Sequence, residues 1–323
     1  MNIADSTAER LEGYGVFSPD AVDAVAEFAD FQASFKTYQE FLASQGITED
    51  MLEQKGLPYI DIRPTEHDPA EALAIHLPMA NPLDANQLYA IATIAGTNPN
   101  KRVVAFANPS GPGYDGNWLM HSERHKVVRG NGRPLVAPLD HYLSQAGIDT
   151  VDHYGYSYGV EKALAASMGH ASVKSLILLE PASVESRNLV SLGLAFAKSA
   201  GRLEEYVQAC NLPTFEDARE DSVGALSYNI GLARLTNLAI ARYIGQGRFF
   251  ANYRQALLAN HNASATVAWG SESELASDDI LSSTLDKPGY RQRSNTLRLV
   301  GHGHAVANDI HVQAAVVLEG LAA

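Results

Sequence analysis

A chain of 323 residues, 46% hydrophobic and 19% charged, carries enough apolar material for one large folded unit, which excludes wholesale disorder. A net charge of −13 and a pI of about 5.2 repel phosphate backbones and anionic lipid, so neither nucleic acid nor a membrane surface is an expected partner. Cys210 is the single cysteine and cannot form an internal disulfide. Met1 to Arg10 lacks a basic region followed by an apolar stretch, and no apolar run is long enough to span a bilayer. The expectation is a cytoplasmic protein acting on a small molecule, with homo-oligomerisation left open.

The first 57 residues read as a helical arm. Ser18-Pro19-Asp20 supplies an N-cap and a first-turn proline, and Val22, Val25, Phe28, Phe31 and Phe35 recur at helical spacing. A second short helix is expected from Thr48 to Gln54. From Tyr59 the pattern becomes one of strands alternating with helices. Strands are expected at Tyr59 to Ile62, Ala72 to Leu77, Lys101 to Ala107, Thr150 to Tyr154 and Val173 to Leu179. Helices are expected at Asp84 to Ala95, Pro134 to Ala146 and Val160 to Met168. Such alternation specifies an α/β fold with a mostly parallel sheet and helices on both faces. Between Ser183 and about Asn262 only helical periodicity occurs, so residues 183–262 are expected to form an inserted helical cap. The alternation resumes with strands at Ala265 to Trp269 and Thr296 to Val300 and a closing helix from Ala307 to Leu321. The core is thereby assigned to residues 58–182 and 263–323.

Chemistry concentrates at Gly155-Tyr156-Ser157-Tyr158-Gly159, which lies between the Thr150 strand and the Val160 helix. A turn that tight leaves no room for side chains two residues before and after the serine, hence glycine at both positions. It forces the serine into a strained backbone that lifts its hydroxyl above the sheet. A serine hydroxyl needs a base, and the base needs an acid to orient it. The base is sought in Leu299-Val300-Gly301-His302-Gly303-His304-Ala305, after the last strand, where His302 competes with His304. The acid is sought after the strand Ala265 to Trp269, in Gly270-Ser271-Glu272-Ser273-Glu274-Leu275. Glu274 is preferred there, Glu272 is its alternative, and Glu180 before Pro181 is a third candidate.

On these motifs, the stretch from about Tyr59 onward resembles the α/β-hydrolase superfamily, and in particular its lidded esterase-like members. Ser157, followed by Gly303-His304 in the terminal loop, carries the likeness. Ile75-His76-Leu77-Pro78-Met79, the helix from Asp84, the strand from Val103 and Gly111-Pro112-Gly113 add to it. The resemblance favours His304 over His302. It implies an oxyanion hole of two backbone N–H groups, one from Tyr158 and one from the loop after His76, where Pro78 has no N–H and Met79 is preferred to Leu77. The chain departs from the family twice: Leu77 stands where a glycine is usual, and Ser273 where an aspartate is common. The expected activity is hydrolysis of a carboxylic ester or related acyl bond with an apolar acyl group, without a cofactor. Amide, thioester or carbon–carbon hydrolysis, and a non-catalytic binding protein on the same fold, are the alternatives.

Two other motifs are weaker. Gly111-Pro112-Gly113-Tyr114-Asp115-Gly116 satisfies a dinucleotide-binding pattern, but it does not open a helix directly and no second strand follows in place. His121 and His125 have metal-ligand spacing without a third ligand nearby, so no metal site is expected. The aromatic group Tyr243, Phe249, Phe250 and Tyr253 reads first as core packing.

Overall fold

The structure, a computed structural model, describes residues 2–47, 52–54, 57–64, 70–78, 83–107, 121–169, 172–226 and 234–323. In chain order the elements begin with helices α1 (Ile3–Gly13), α2 (Pro19–Ala33) and α3 (Tyr38–Ser44), then strands β1 (Leu52–Gln54), β2 (Leu57–Ile62) and β3 (Glu71–His76). Helix α4 (Ala85–Gly96), strand β4 (Arg102–Phe106), helices α5 (His121–Val128) and α6 (Arg133–Gln145) and strand β5 (Thr150–Tyr156) follow. Next come α7 (Gly159–Ala166), β6 (Ser172–Leu179), and then α8 (Leu189–Ala200), α9 (Leu203–Ala209), α10 (Pro213–Leu226), α11 (Arg234–Ile244) and α12 (Phe249–Ala259). The chain closes with β7 (Ser264–Gly270), α13 (Asp278–Leu285), α14 (Pro288–Arg291), β8 (Asn295–Leu299), a 3₁₀ turn over His304–Asn308 and α15 (Ile310–Ala322).

The strands make one eight-stranded sheet in the order β1-β2-β4-β3-β5-β6-β7-β8. β2 pairs antiparallel with both β1 and β4, and every other described pairing is parallel. The central strands are mostly apolar because both faces are covered. Side chains alternate between those faces with period two. Leu73 and Ile75 of β3, Tyr154 and Tyr156 of β5, and Ile177 and Leu179 of β6 pack into one cluster with α2, α4 and α15. Ala72, Ala74 and Val151 face α6 instead, and Leu176 and Leu178 face α7 and α12.

Local signals set the helix starts. The Ser18 hydroxyl accepts from the Ala21 N–H at 3.3 Å ahead of Pro19, and the Asp84 carboxylate accepts from the Gln87 N–H at 2.9 Å. The expected helix from Thr48 to Gln54 is not found where the chain is described: Leu52–Gln54 is instead an edge strand, with Leu52 opposite Tyr59. The open edge of β2 offers a row of backbone donors and acceptors, and pairing with it outweighs the weak preference of so short a segment. Residues 48–51 lie outside the description.

An ion pair ties β2 to β4. Asp61 takes two bonds from the buried Arg102 guanidinium, at 2.8 and 2.9 Å, and one from the Tyr142 hydroxyl at 2.6 Å. Burial alone would raise the Asp61 carboxyl, but these bonds and one from Arg63 hold it below the usual carboxylate range. Five helices, α8 to α12, lie between β6 and β7 among the described residues. α12 packs Phe249, Tyr253, Ala256 and Leu257 into the cluster beneath α7, and α9 and α10 contribute Tyr206 and Phe215 to the large cluster. Phe249 and Tyr253 are thus core side chains, as the aromatic pattern suggested. Among the described residues no helix is long and apolar enough to cross a membrane.

Candidate active site

Three side chains converge above the carboxyl ends of the central strands. Ser157 directly follows β5 and Glu180 directly follows β6, the neighbouring strand. Both have left-handed backbones, with φ of +53° and +56°, which are costly for residues with a Cβ. Each is held there by extending the parallel ladder one residue: the Ser157 N–H donates to the Leu179 carbonyl at 2.9 Å, and the Glu180 N–H to the Ala268 carbonyl at 2.8 Å. His304 enters from the loop after β8, at the first residue of the 3₁₀ turn.

The glycines of the elbow answer to steric demands. A Cβ at position 155 would collide with the Gly159 carbonyl, and one at 159 with the His76 carbonyl at the end of β3. Both clashes set a Cβ against backbone atoms, which have no flexible side chain to absorb them. Gly159→Ala is therefore expected to destabilise the fold by about 3 kcal/mol or more, read as a lowered urea midpoint. An unchanged midpoint would show that the close approach of α7 to β3 is not required.

The three groups are hydrogen-bonded in series. Ser157 Oγ lies 2.9 Å from His304 Nε2, and His304 Nδ1 lies 2.9 Å from Glu180 Oε2. Nδ1–H donates to the carboxylate, which leaves Nε2 as the acceptor of the serine proton. Ser157 and His304 are each 6% exposed and Glu180 is fully buried. The Glu180 carboxylate also accepts from the Ser273 hydroxyl at 2.6 Å and from the Gly270 N–H. All its contacts are donors, as a buried carboxylate requires.

This arrangement corrects the expected acid. Glu274 does not reach the His304 ring: its carboxylate accepts from the His304 backbone N–H at 3.2 Å and so braces the loop. Glu272 is turned outward, with its carboxylate 3.4 Å from Arg202. The physical reason is strand order. β6 lies between β5 and β7, so the residue ending β6 is nearer the serine than the loop after β7. His302 packs against the Tyr14 ring and lies 3.2 Å from the Tyr206 hydroxyl, away from the serine. Tyr158 precedes the first turn of α7, where a backbone N–H has no acceptor within the helix. Met79 lies outside the described residues, as does Gly111-Pro112-Gly113-Tyr114-Asp115-Gly116.

Solved structures share the architecture of this chain. A carboxylesterase structure from Nitrososphaera gargenis superposes with a TM-score of 0.52 at 14% identity, over 82% of this chain and 93% of that one. The thioesterase domain of the curacin biosynthetic pathway gives 0.52 at 18% identity, over 84% and 99%. MGS-M2, an alpha/beta hydrolase from a Medee basin deep-sea metagenome library, gives 0.52 at 12% identity, over 84% and 96%. The chain has the α/β-hydrolase fold. No protein-family model and no curated protein matches its sequence.

Within the α/β-hydrolase fold, the departure at Ser273 acquires a structural meaning. Ser273 occupies the loop position where an aspartate is common, and its hydroxyl donates to the carboxylate that Glu180 supplies from the neighbouring strand. The only early sign of this was a glutamate directly after a strongly apolar strand.

Other titratable groups near the elbow are structural. His76 Nε2 lies 3.1 Å from His153 Nδ1, and burial lowers both rings, His153 to about 3, so both are neutral. Burial raises the Glu161 carboxyl despite donors from Ser183, Asn252 and Tyr243, and lowers Lys162 to about 7. Cys210, Asp309 and His311 form the one group among the described residues with metal-ligand spacing. The Arg10 guanidinium already bonds the Asp309 carboxylate and His311 Nδ1, which leaves a cation no room there. His125 is exposed on α5 and belongs to no such group.

Proposed function

We propose that this protein is a serine hydrolase that cleaves a carboxylic ester, or a closely related acyl bond, through an acyl-enzyme on Ser157. The observation that carries the reading is the continuous relay from the Ser157 hydroxyl through His304 to the buried Glu180 carboxylate. In it Ser157 Oγ attacks the ester carbonyl carbon while its proton passes to His304 Nε2. Glu180 stabilises the imidazolium that results. The tetrahedral oxyanion accepts from the Tyr158 backbone N–H and from a donor in the segment after His76, for which Met79 stays the preferred residue. His304 then protonates the leaving alkoxide, which departs as the alcohol. A water, deprotonated by His304, attacks the acyl carbon and releases the acid, and the proton returns to Ser157.

The carboxylesterase and thioesterase among the similar structures are consistent with acyl transfer on this scaffold, although a fold of this kind hosts many reactions. The apolar content of the helices between β6 and β7 favours a substrate with an apolar acyl part. The test is covalent labelling with a fluorophosphonate probe, together with turnover of p-nitrophenyl esters of rising acyl length. The expected result is labelling and turnover in the native chain and neither in Ser157→Ala. A native chain that does neither would refute the catalytic reading and leave a binding protein.

A further inference from the structure

A cleft of about 1300 Å³ opens between α5, the start of α8 and the end of α11. Four arginines line it, Arg129, Arg187, Arg242 and Arg248, and no aspartate or glutamate does among the described residues. That concentration stands out in a chain whose net charge is −13. Arg187 is engaged, donating to the Glu274 carbonyl at 2.7 Å and pairing with Glu185. Arg129, Arg242 and Arg248 are exposed and have no ion pair or side-chain hydrogen bond to any described residue. They come from three separate stretches of chain, yet converge: the Arg248 guanidinium lies against Gly130, next to Arg129. Grouping like charges in a concave wall costs free energy through mutual repulsion unless an anion relieves it.

Part of the lining is apolar. Leu189, Val190 and Leu194 line the same cleft and are 42%, 74% and 68% exposed. Arg187 links the cleft to the loop that carries His304: its guanidinium donates to the Glu274 carbonyl, and the Glu274 carboxylate accepts the His304 N–H. We infer that this cleft holds the anionic group of the substrate, a phosphate or a carboxylate, on Arg129, Arg242 and Arg248, with an apolar portion of the same molecule against Leu189 and Leu194. Guanidinium forks match both oxyanions in bidentate fashion. The inference rests on the ester-hydrolase reading and narrows its substrate to amphipathic, anionic esters.

The test separates the two. Calorimetric titration of Ser157→Ala protein with inorganic pyrophosphate and with adipate reads the cleft without turnover. At least one probe is expected to bind, more weakly as salt rises. Adding Arg129→Gln, Arg242→Gln and Arg248→Gln together should weaken it about ten-fold or more. Binding of pyrophosphate alone identifies a phosphate ester, and binding of adipate alone a carboxylate. Thermal melting checks the fold, and single Arg242→Gln serves if the triple variant melts early. In the catalytic chain, the ratio of kcat/KM for the p-nitrophenyl monoester of adipate to that for p-nitrophenyl hexanoate (or for a phosphate-bearing ester, if pyrophosphate is the ligand) should fall in the variant by a similar factor. If neither probe binds, or glutamines leave binding unchanged, the anion site is refuted. Arginine-dependent binding with an unchanged ratio refutes its assignment to substrate. Arginine-dependent binding in a chain that neither labels nor turns over esters keeps the anion site and refutes the hydrolase reading.

Discussion

Ser157→Ala and His304→Ala are each expected to lower kcat for a p-nitrophenyl ester by on the order of 10⁶-fold, and the double variant to lower it no further. The first substitution removes the atom that forms the acyl-enzyme. The second leaves the hydroxyl 2.9 Å from nothing that can take its proton, so the nucleophile is present but inert. Because the pair acts as a unit, the two losses overlap instead of multiplying. Either alone corresponds to about 8 kcal/mol of transition-state stabilisation, at 1.36 kcal/mol per factor of ten. Residual rate over water would come from the oxyanion donors and substrate binding, which neither change touches. Steady-state kinetics on the three variants decides the matter. Losses that multiply, or a single loss below about a hundred-fold, would mean that the hydrogen bond is not the activating contact.

Glu180→Gln is expected to lower kcat by about 10³- to 10⁴-fold, whereas Glu274→Gln should cost less than about ten-fold. Glutamine keeps the shape of the buried side chain but can turn an N–H toward His304 Nδ1. The ring then loses its orienting acceptor, and the imidazolium formed during attack loses its counter-charge. The amide oxygen, in the Oε1 position, still accepts from the Gly270 N–H, and the Ser273 hydroxyl, which shares Oε2 with His304, can turn to accept from the amide N–H, so the fold should survive the exchange. Glu274 serves a backbone N–H, which an amide oxygen accepts equally well. The ordering of the two variants is the observable. A large loss in Glu274→Gln with a small one in Glu180→Gln would return the acid to the loop after β7.

The sequence carried most of the frame. Parallel strands covered on both faces are rich in apolar residues, so β3, β4, β5, β6 and β7 stand out, and the capped helices between them follow from Asp84 and the apolar spacing. The elbow was legible for the same kind of reason: two glycines are demanded within a few residues, by clashes with the Gly159 and His76 carbonyls. His304 needed more, since two histidines share one loop and only likeness to a family chose between them.

What the sequence could not decide depends on which strands are neighbours. Glu180, Glu272 and Glu274 are all glutamates after strands, and nothing local ranks them; the position of β6 beside β5, and the left-handed turn at Glu180, bring that one to the imidazole. Leu52–Gln54 became a strand because β2 had a free edge. The arginine cleft gathers residues from α5, the segment after β6, α11 and the turn before α12, which only the packed helices bring to one wall. Spacing along the chain specifies elements and tight turns, because those obey short-range sterics. The identity of the acid and the character of the cleft follow from long-range packing, which a local pattern does not encode.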